Sequence, residues 1–348
     1  MSLINPVIFC QALGPNSLRL RSPEHVITVA LQFLEATAVY QRVVSPYRAV
    51  VAIHAIMWFA GKRTDFFGDL KIFSHFWGVK TTPRMERITS LQNPAVKRIV
   101  QLAKPRERKA QGLFVVEGAR ELGLALDAGY QLVSVYVCPE IYVHSEYPDL
   151  INRIDPARLT GITTAIFEKV AYREHSDGII ALMQPNKHDL SALPLTENPF
   201  IIVLEAVEKP GNLGAILRTA DAAKASAVIV CDPNTDVYNP NVIRSSVGCL
   251  FTVPVGVASS EEALLWLREK GIKVYAAELT AAQWYHDTDF TLPSAVIMGT
   301  EADGLTPFWL KAADARIKIP MRGAIDSLNV SVSTAVLTFE AMRQRSFK

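Results

Sequence analysis

The chain has 348 residues, 49% hydrophobic and 20% charged, with a formal net charge of +2. This is the composition of an ordinary globular protein, not of a disordered or fibrous one, and the length allows two cored domains. So small a net charge supplies no strong overall field, and attraction of a polyanion would have to rest on local basic patches.

Four cysteines, Cys10, Cys138, Cys231 and Cys249, show no CxxC spacing and no companion histidines. Neither structural zinc nor a disulfide framework is expected, no metal is called for, and a reducing, cytoplasmic setting fits. The longest apolar run, Ala49 to Gly61, contains His54 and is shorter than the roughly 20 residues of a membrane span. The first residues lack the basic and apolar regions of a secretory signal.

Residues 1–84 carry nine Lys/Arg against four Asp/Glu, with irregular aromatics such as Trp58, Phe66 and Trp77. Val26, Val29, Ala30, Phe33 and Leu34 recur at helical spacing, so one amphipathic helix is expected over Glu24 to Val39. No other sustained period follows. The expectation is an extension that is poorly ordered or translated from a misassigned start codon; a basic RNA-contacting arm or a transit peptide is the alternative, and the acidic residues weaken the latter.

At Met85 the pattern becomes regular, and residues 85–185 read as a small α/β domain. Asn93-Pro94 starts a helix, with Val96, Ile99, Val100 and Leu102 on one face. A strand at Leu113 to Val116, a helix from Ala119 to Ala128, a strand at Val133 to Val137 and a closing strand from Gly178 to Met183 follow. A Pro-, Asn- and Ser-rich stretch from Gln184, residues 186–199 above all, reads as a linker.

Residues 200–348 alternate strand and helix. Strands are expected at Ile201 to Leu204, Ala227 to Cys231, Lys273 to Ala276, Ala295 to Met298 and Ala315 to Ile319. Helices are expected over Leu213 to Ala223, near Pro240, over Glu261 to Lys270 and over Val330 to Arg343. Continuous apolar strands in this rhythm indicate a parallel sheet covered on both faces.

Three segments carry chemistry. The first, Glu205 to Ala220, lies at the carboxyl end of a strand, where open α/β sheets bind ligands. Gly211 and Gly214 permit close backbone approach, Asn212 suits a helix N-cap, and Arg218 is a lone charge on an otherwise small and apolar helix. Such an arginine either snorkels at the surface or binds phosphate and favours an ionised hydroxyl. In the second segment an apolar strand runs into Gly299-Thr300-Glu301-Ala302-Asp303-Gly304. Glu301 there is either a first-turn residue favoured by a helix dipole or a carboxylate held between two bare stretches of backbone. The third runs from Ile317 through Pro320 and Met321 to Asp326-Ser327-Leu328-Asn329-Val330. Ser327 or Asn329 capping a helix explains part of it, but not a polar residue at nearly every second position.

Taken in order, these segments resemble the three signature motifs of the SpoU (TrmH-type) branch of the SPOUT RNA methyltransferases. Ile88 to Pro94 and Gly112 to Gly118 are likewise similar to the family's substrate-binding module, so the resemblance covers about residues 85 to 345. It implies a C-terminal SPOUT α/β domain with a deep trefoil knot, preceded by a small α/β substrate-binding domain. It also implies S-adenosyl-L-methionine as methyl donor, RNA as substrate, and a homodimer formed through the C-terminal domain. By that resemblance Arg218 is the catalytic arginine, with Asn212, Glu301, Ser327 and Asn329 as polar site residues. The cofactor loops are Gly299, Thr300 and Gly304; Ile319, Pro320 and Met321; and Leu328 with Asn329. The position before Pro210, frequently acidic in the family, is Lys209, and Arg244 to Gly248 follows the family's form without an assignable role.

The densest basic cluster of the patterned chain, Lys97, Arg98, Lys104, Arg106, Arg108 and Lys109, reads as an RNA phosphate contact, with a solvated helix face as the alternative. The Tyr172 to His175 turn offers a ring for stacking on unpaired bases, or one that packs locally. The two-domain form favours ribosomal over transfer RNA. A catalytically silent RNA-binding relative in ribosome assembly is the competing reading, and the intact Asn212, Arg218, Glu301 and Asn329 argue against it. A nucleotide-dependent oxidoreductase would need Gly-x-Gly-x-x-Gly after a first strand, and none is present.

Overall fold

A computed structural model describes residues 86–172 and 176–347. Met85–Lys348 is a contact unit of its own. The expected helix over 24–39, the 49–61 run, Cys10 and the three residues after Tyr172 lie outside the described residues.

The unit contains two sheets. Strands β1 (Arg87–Ile88), β2 (Phe114–Glu117), β3 (Leu132–Val137), β4 (Leu159–Ile162) and β5 (Ile179–Met183) form the first, in the order β1-β4-β3-β5-β2. It is mixed: β5 runs antiparallel to both β2 and β3. Helices α1 (Pro94–Gln101), α2 (Pro105–Gln111), α3 (Ala119–Asp127), α4 (Pro139–Tyr142) and α5 (Thr164–Val170) connect the strands. Side chains of alternate strand residues take opposite faces. Val115, Ile180 and Leu182 therefore pack with Val96, Ile99, Ile166 and Phe167 of α1 and α5. Phe114, Val116, Ala181 and Met183 face the other way and join a core shared with the second sheet.

The second sheet is parallel throughout, in the order β10-β12-β9-β11-β6-β7-β8. Its elements in chain order are β6 (Phe200–Glu205), α6 (Pro210–Ala223), β7 (Ala227–Cys231), α7 (Pro240–Ser245), β8 (Val255–Ala258), α8 (Ser260–Glu269), β9 (Lys273–Ala277), β10 (Gln283–Trp284), β11 (Ser294–Met298), α9 (Pro307–Ala312), β12 (Ala315–Lys318) and α10 (Val330–Gln344). Ile201, Val203, Ile229 and Ile297 meet Ala263, Leu267 and Trp309 of α8 and α9 on one face. Ile202, Leu204, Val230 and Val296 meet Leu213, Ile216 and Leu337 of α6 and α10 on the other. Every central strand is buried on both sides, which is why these strands read as unbroken apolar runs.

Phe114 stacks with Tyr238 at a ring separation of 4.4 Å, and Tyr130 meets Phe251 edge-on at 5.1 Å. The two sheets are thus joined by aromatic packing rather than by the linker alone. The expected strands and helices lie within a residue or two of their expected bounds, except α6, which starts at Pro210, three residues before the expected Leu213. Four described strands were not anticipated. β1 and β10 are two residues long, and β4 and β8 contain glycines, Gly161 and Gly256, that interrupt an apolar run. Cys138, Cys231 and Cys249 are buried, free thiols.

Candidate active site

Strands β9, β11 and β12 are neighbours and β6 flanks them, so the segments leaving their carboxyl ends emerge side by side. Gly299 leaves β11 into a tight loop closed by paired hydrogen bonds between Thr300 and Gly304, at 3.0 and 3.2 Å. A Cβ at Gly299 would lie 2.2 Å from the Gly304 carbonyl and 2.4 Å from the Leu305 nitrogen. Only glycine fits there, because the loop folds directly back on its own entry.

That fold projects Glu301 towards α6 and α10. Asn212 Nδ2 donates to Glu301 Oε1 at 2.7 Å, and Asn329 Nδ2 donates to the same oxygen at 2.5 Å. Lys209 Nζ bonds Oε2. The Lys209 ammonium, then the Asn212 amide, hold the Glu301 carboxyl below its ordinary range. Asn329 Nδ2 also reaches Asn212 Oδ1 at 3.3 Å, so residues from three separate segments form one polar cluster.

Asn329 serves twice. Its Oδ1 caps α10 by accepting from the Ser331 nitrogen at 2.9 Å and from Ser331 Oγ at 2.6 Å, while its amide nitrogen serves Glu301. Asn212, expected as an N-cap, is not one. Helix α6 starts at Pro210 with Lys209 in the capping position. Proline at the first helical position fixes φ and needs no N–H partner, which starts the helix before Asn212 and frees its side chain for Glu301.

Arg218 stands apart from the cluster. Six residues beyond Asn212 on a helix is about 240° of rotation and about 9 Å of rise. It is exposed, and among the described residues it has no hydrogen bond or ion pair. Ser327 is exposed too, its hydroxyl 3.3 Å from Asp326 Oδ1, with no bond to Glu301.

Ile319, Pro320, Met321 and Leu328 are half-buried, and Ile319 packs against the main core. Among the described residues, the backbone groups of 321–328 have no hydrogen-bond partner. Met321 and Leu328 at the ends of this loop are half-buried and 322–327 between them are exposed, and its N–H and C=O groups are of the kind that an adenine edge and a ribose hydrogen-bond. The S-adenosyl-L-methionine implied by the motifs therefore fits the residues present.

Arg108, expected at an RNA surface, is corrected by the structure. Its side chain is 3% exposed. Nε donates to Asp236 Oδ2 at 2.6 Å, and Nη1 donates to the Leu102 and Ala103 carbonyls, both at 2.9 Å. It ties α2 to the loop after β7, and a guanidinium so enclosed cannot reach a phosphate. Lys97, Arg98, Lys104, Arg106 and Lys109 are exposed.

Two features were missed. Glu205, buried at the end of β6, accepts from the Thr306 nitrogen at 2.9 Å and from Thr306 Oγ1 at 2.7 Å, clamping the far end of the Gly299 loop. Glu278 and Leu279 leave β9 between the exits of β11 and β12. The carboxyl-end rule applied to the Lys273 to Ala276 strand would have pointed to them.

The profile of the SpoU rRNA Methylase family matches residues 199–339, and that of the MRM3-like substrate binding domain matches residues 93–181. The 23S rRNA (uridine(2479)-2'-O)-methyltransferase of Streptomyces viridochromogenes is 28% identical over 76% of this chain and 94% of its own length. A crystal structure of an RNA 2'-O ribose methyltransferase is 38% identical, covers 75% of this chain and 99% of its own, and superposes with a TM-score of 0.67. The AdoMet-bound rRNA methyltransferase of Sinorhizobium meliloti is 29% identical over 75% of this chain and 98% of its own, with a TM-score of 0.68. With the three motif segments converging on Glu301 and both profiles in register with the two sheets, the chain belongs to the SpoU rRNA methylase family of 2'-O-methyltransferases.

Proposed function

We propose that the protein methylates a ribose 2'-hydroxyl of ribosomal RNA with S-adenosyl-L-methionine as donor. The observation that carries this is the convergence of Asn212, Glu301 and Asn329 at the exits of β6 and β11, beside the unpaired backbone of 321–328. The cofactor, when bound, supplies an electrophilic methyl on a positively charged sulfur. Gly299, Thr300 and Gly304, with Ile319 to Met321 and Leu328-Asn329, would hold it through main-chain groups. We read the three exits as parts of the family's trefoil knot, a reading supported by the adjacency of β9, β11 and β12 and by α10 returning to pack on α6.

Arg218 takes the chemical role. A ribose hydroxyl is a poor nucleophile, and an exposed guanidinium can stabilise developing alkoxide charge and hold the adjacent phosphate. Asn212, Glu301 and Asn329 fix the loops that present the donor, and Ser327 lies at the mouth of that region. The basic residues Lys97, Arg98, Arg106 and Lys109 of the 85–185 domain engage flanking RNA phosphates, and 186–199 links that domain to the methyltransferase domain. A homodimer is supported by Val332 and Phe339, exposed seven residues apart on one face of α10. Three buried, unpaired thiols suit a cytoplasmic setting, and no described helix is long and apolar enough to cross a membrane.

Mapping 2'-O-methyl sites in RNA from cells with and without the gene tests this reading. Loss of a ribosomal RNA site, restored by the wild-type chain and not by Arg218→Ala, supports it; an unchanged methylation map contradicts it.

A further inference from the structure

The turn at 246–249, part of the segment whose form had no assignable role, lies between the two domains. Gly248 sits at φ +83°, and a Cβ there would lie 2.8 Å from Leu124 Cδ1 and 3.4 Å from the Glu121 Cα of α3. On its other side Thr252 Oγ1 donates to Asp221 at 2.5 Å, one helical turn beyond Arg218 on α6. Ser245 abuts Gly214 of the same helix. Helices α3 and α6 therefore flank one turn, the first from the substrate-binding domain and the second from the methyltransferase domain.

Each helix presents an arginine there. Arg120 is the second residue of α3 and neighbours the buried Glu121; Arg218 lies on α6. Both are exposed, and among the described residues neither has a hydrogen bond or ion pair. Both guanidinium groups act on the Cys249 thiol at the centre of the turn, drawing down a pKa that burial and the Asp221 charge push up. Two carboxylates share that neighbourhood: Asp221, engaged by Thr252, and Glu121, buried against Gly248. Helices on either side of one turn thus each present an exposed guanidinium that has no hydrogen bond or ion pair among the described residues, open to an anion that neither nearby carboxylate supplies. A phosphate, which accepts bidentate bonds from guanidinium forks, is the anion that matches them.

We propose that Arg120 is a substrate-binding residue at the reaction site. With Arg218 it forms a seat for the RNA phosphate beside the methylated ribose, one guanidinium from each domain. On this arrangement the first domain does more than capture RNA at its distant basic face. It sets the register of the target nucleotide against the methyltransferase domain, and the aromatic packing between the sheets keeps that register fixed. The inference rests on the proposed function for the identity of the anion.

The test uses the full chain and an unmodified transcript of large-subunit ribosomal RNA, with filter binding of the RNA and transfer of labelled methyl measured across a salt series. Arg120→Ala is expected to weaken RNA binding and raise KM about tenfold, as loss of a charge-assisted bond does. The slope of log affinity against log salt should flatten by about 0.7 to 0.9, one phosphate's worth. Equilibrium binding of labelled S-adenosylmethionine and the melting temperature should not change. Arg120→Lys should restore the salt slope while recovering only part of the affinity, because an ammonium lacks the planar fork. Arg153→Ala, which removes an exposed arginine already paired with Asp127, should leave RNA affinity unchanged. Wild-type affinity and salt slope in Arg120→Ala would overturn the proposal, as would a loss matched by Arg153→Ala. A wild-type chain that binds the transcript but transfers no methyl sinks the functional reading instead, while the binding comparison still decides Arg120.

Discussion

Asn329 Nδ2 donates to Glu301 Oε1 at 2.5 Å while Asn329 Oδ1 caps helix α10. One side chain thus fixes both the start of the last helix and the carboxylate of the loop after β11, two segments 28 residues apart. The two duties separate by substitution. Asn329→Ser keeps a capping oxygen and loses the amide donor, so the melting temperature should hold while methyl transfer falls about tenfold or more. Asn329→Ala loses both, adding about 1 kcal/mol of destabilisation. Equal activity in the wild type and Asn329→Ser would remove Asn329 from the site.

Lys209 determines the ionisation of Glu301. The ammonium and the Asn212 amide hold the carboxyl below the ordinary value of 4.5. A depressed acid contributes stability that is present above pH 4.5 and is lost as pH falls through the folded value. Glu301 is exposed, so the contribution is screened and is better read by NMR titration than by melting. Lys209→Met should move the Glu301 midpoint up towards 4.5 but not fully to it, since Asn212 remains. An unmoved midpoint would show that the pair does not persist in solution.

Gly214 sets the approach of α7 to α6. A Cβ there would lie 1.9 Å from Ser245 Oγ and 2.7 Å from the Ser246 nitrogen. The hydroxyl can rotate away but the backbone nitrogen cannot, so Gly214→Ala should force the helices apart and cost about 1–3 kcal/mol. Because α6 carries Asn212 and Arg218, methyl transfer should fall with it. Urea unfolding and a methyl transfer assay check both; an unchanged midpoint would mean that the contact relaxes freely.

Arg108 should behave as a structural residue. Arg108→Ala strands the half-exposed Asp236 and removes the donor of the buried Leu102 carbonyl and of the Ala103 carbonyl, a loss of about 2 kcal/mol. The salt dependence of RNA binding should stay at its wild-type slope, in contrast to Arg106→Ala, which should flatten it by about 0.7 to 0.9. A stable Arg108→Ala with a flattened slope would return Arg108 to the RNA surface.

Among the strands legible in the sequence, β6, β7 and β11 are plainest because burial on both faces demands an unbroken apolar run. Strands β4 and β8 escaped notice because glycines that admit neighbouring chains also break that run. Glu301, Asn212 and Asn329 were named through the resemblance to the family's motifs, since the residues alone also allowed a cap or a first-turn position for each; the structure brings the three side chains together. The fate of Arg108 was not. Its partner Asp236 is 128 positions away, and a helix with four other exposed or half-exposed polar residues gives no local sign that one of its cations is enclosed.

The central claim is the transfer of a methyl group to ribose oxygen, and product chemistry tests it most directly. Unmodified ribosomal RNA is incubated with the purified chain and labelled S-adenosylmethionine, digested to nucleosides, and resolved by mass spectrometry. The account predicts label in a single 2'-O-methylated nucleoside for the wild type, and none for Arg218→Ala despite undiminished cofactor binding. Label on a base, or equal 2'-O-methylation by Arg218→Ala, would contradict it.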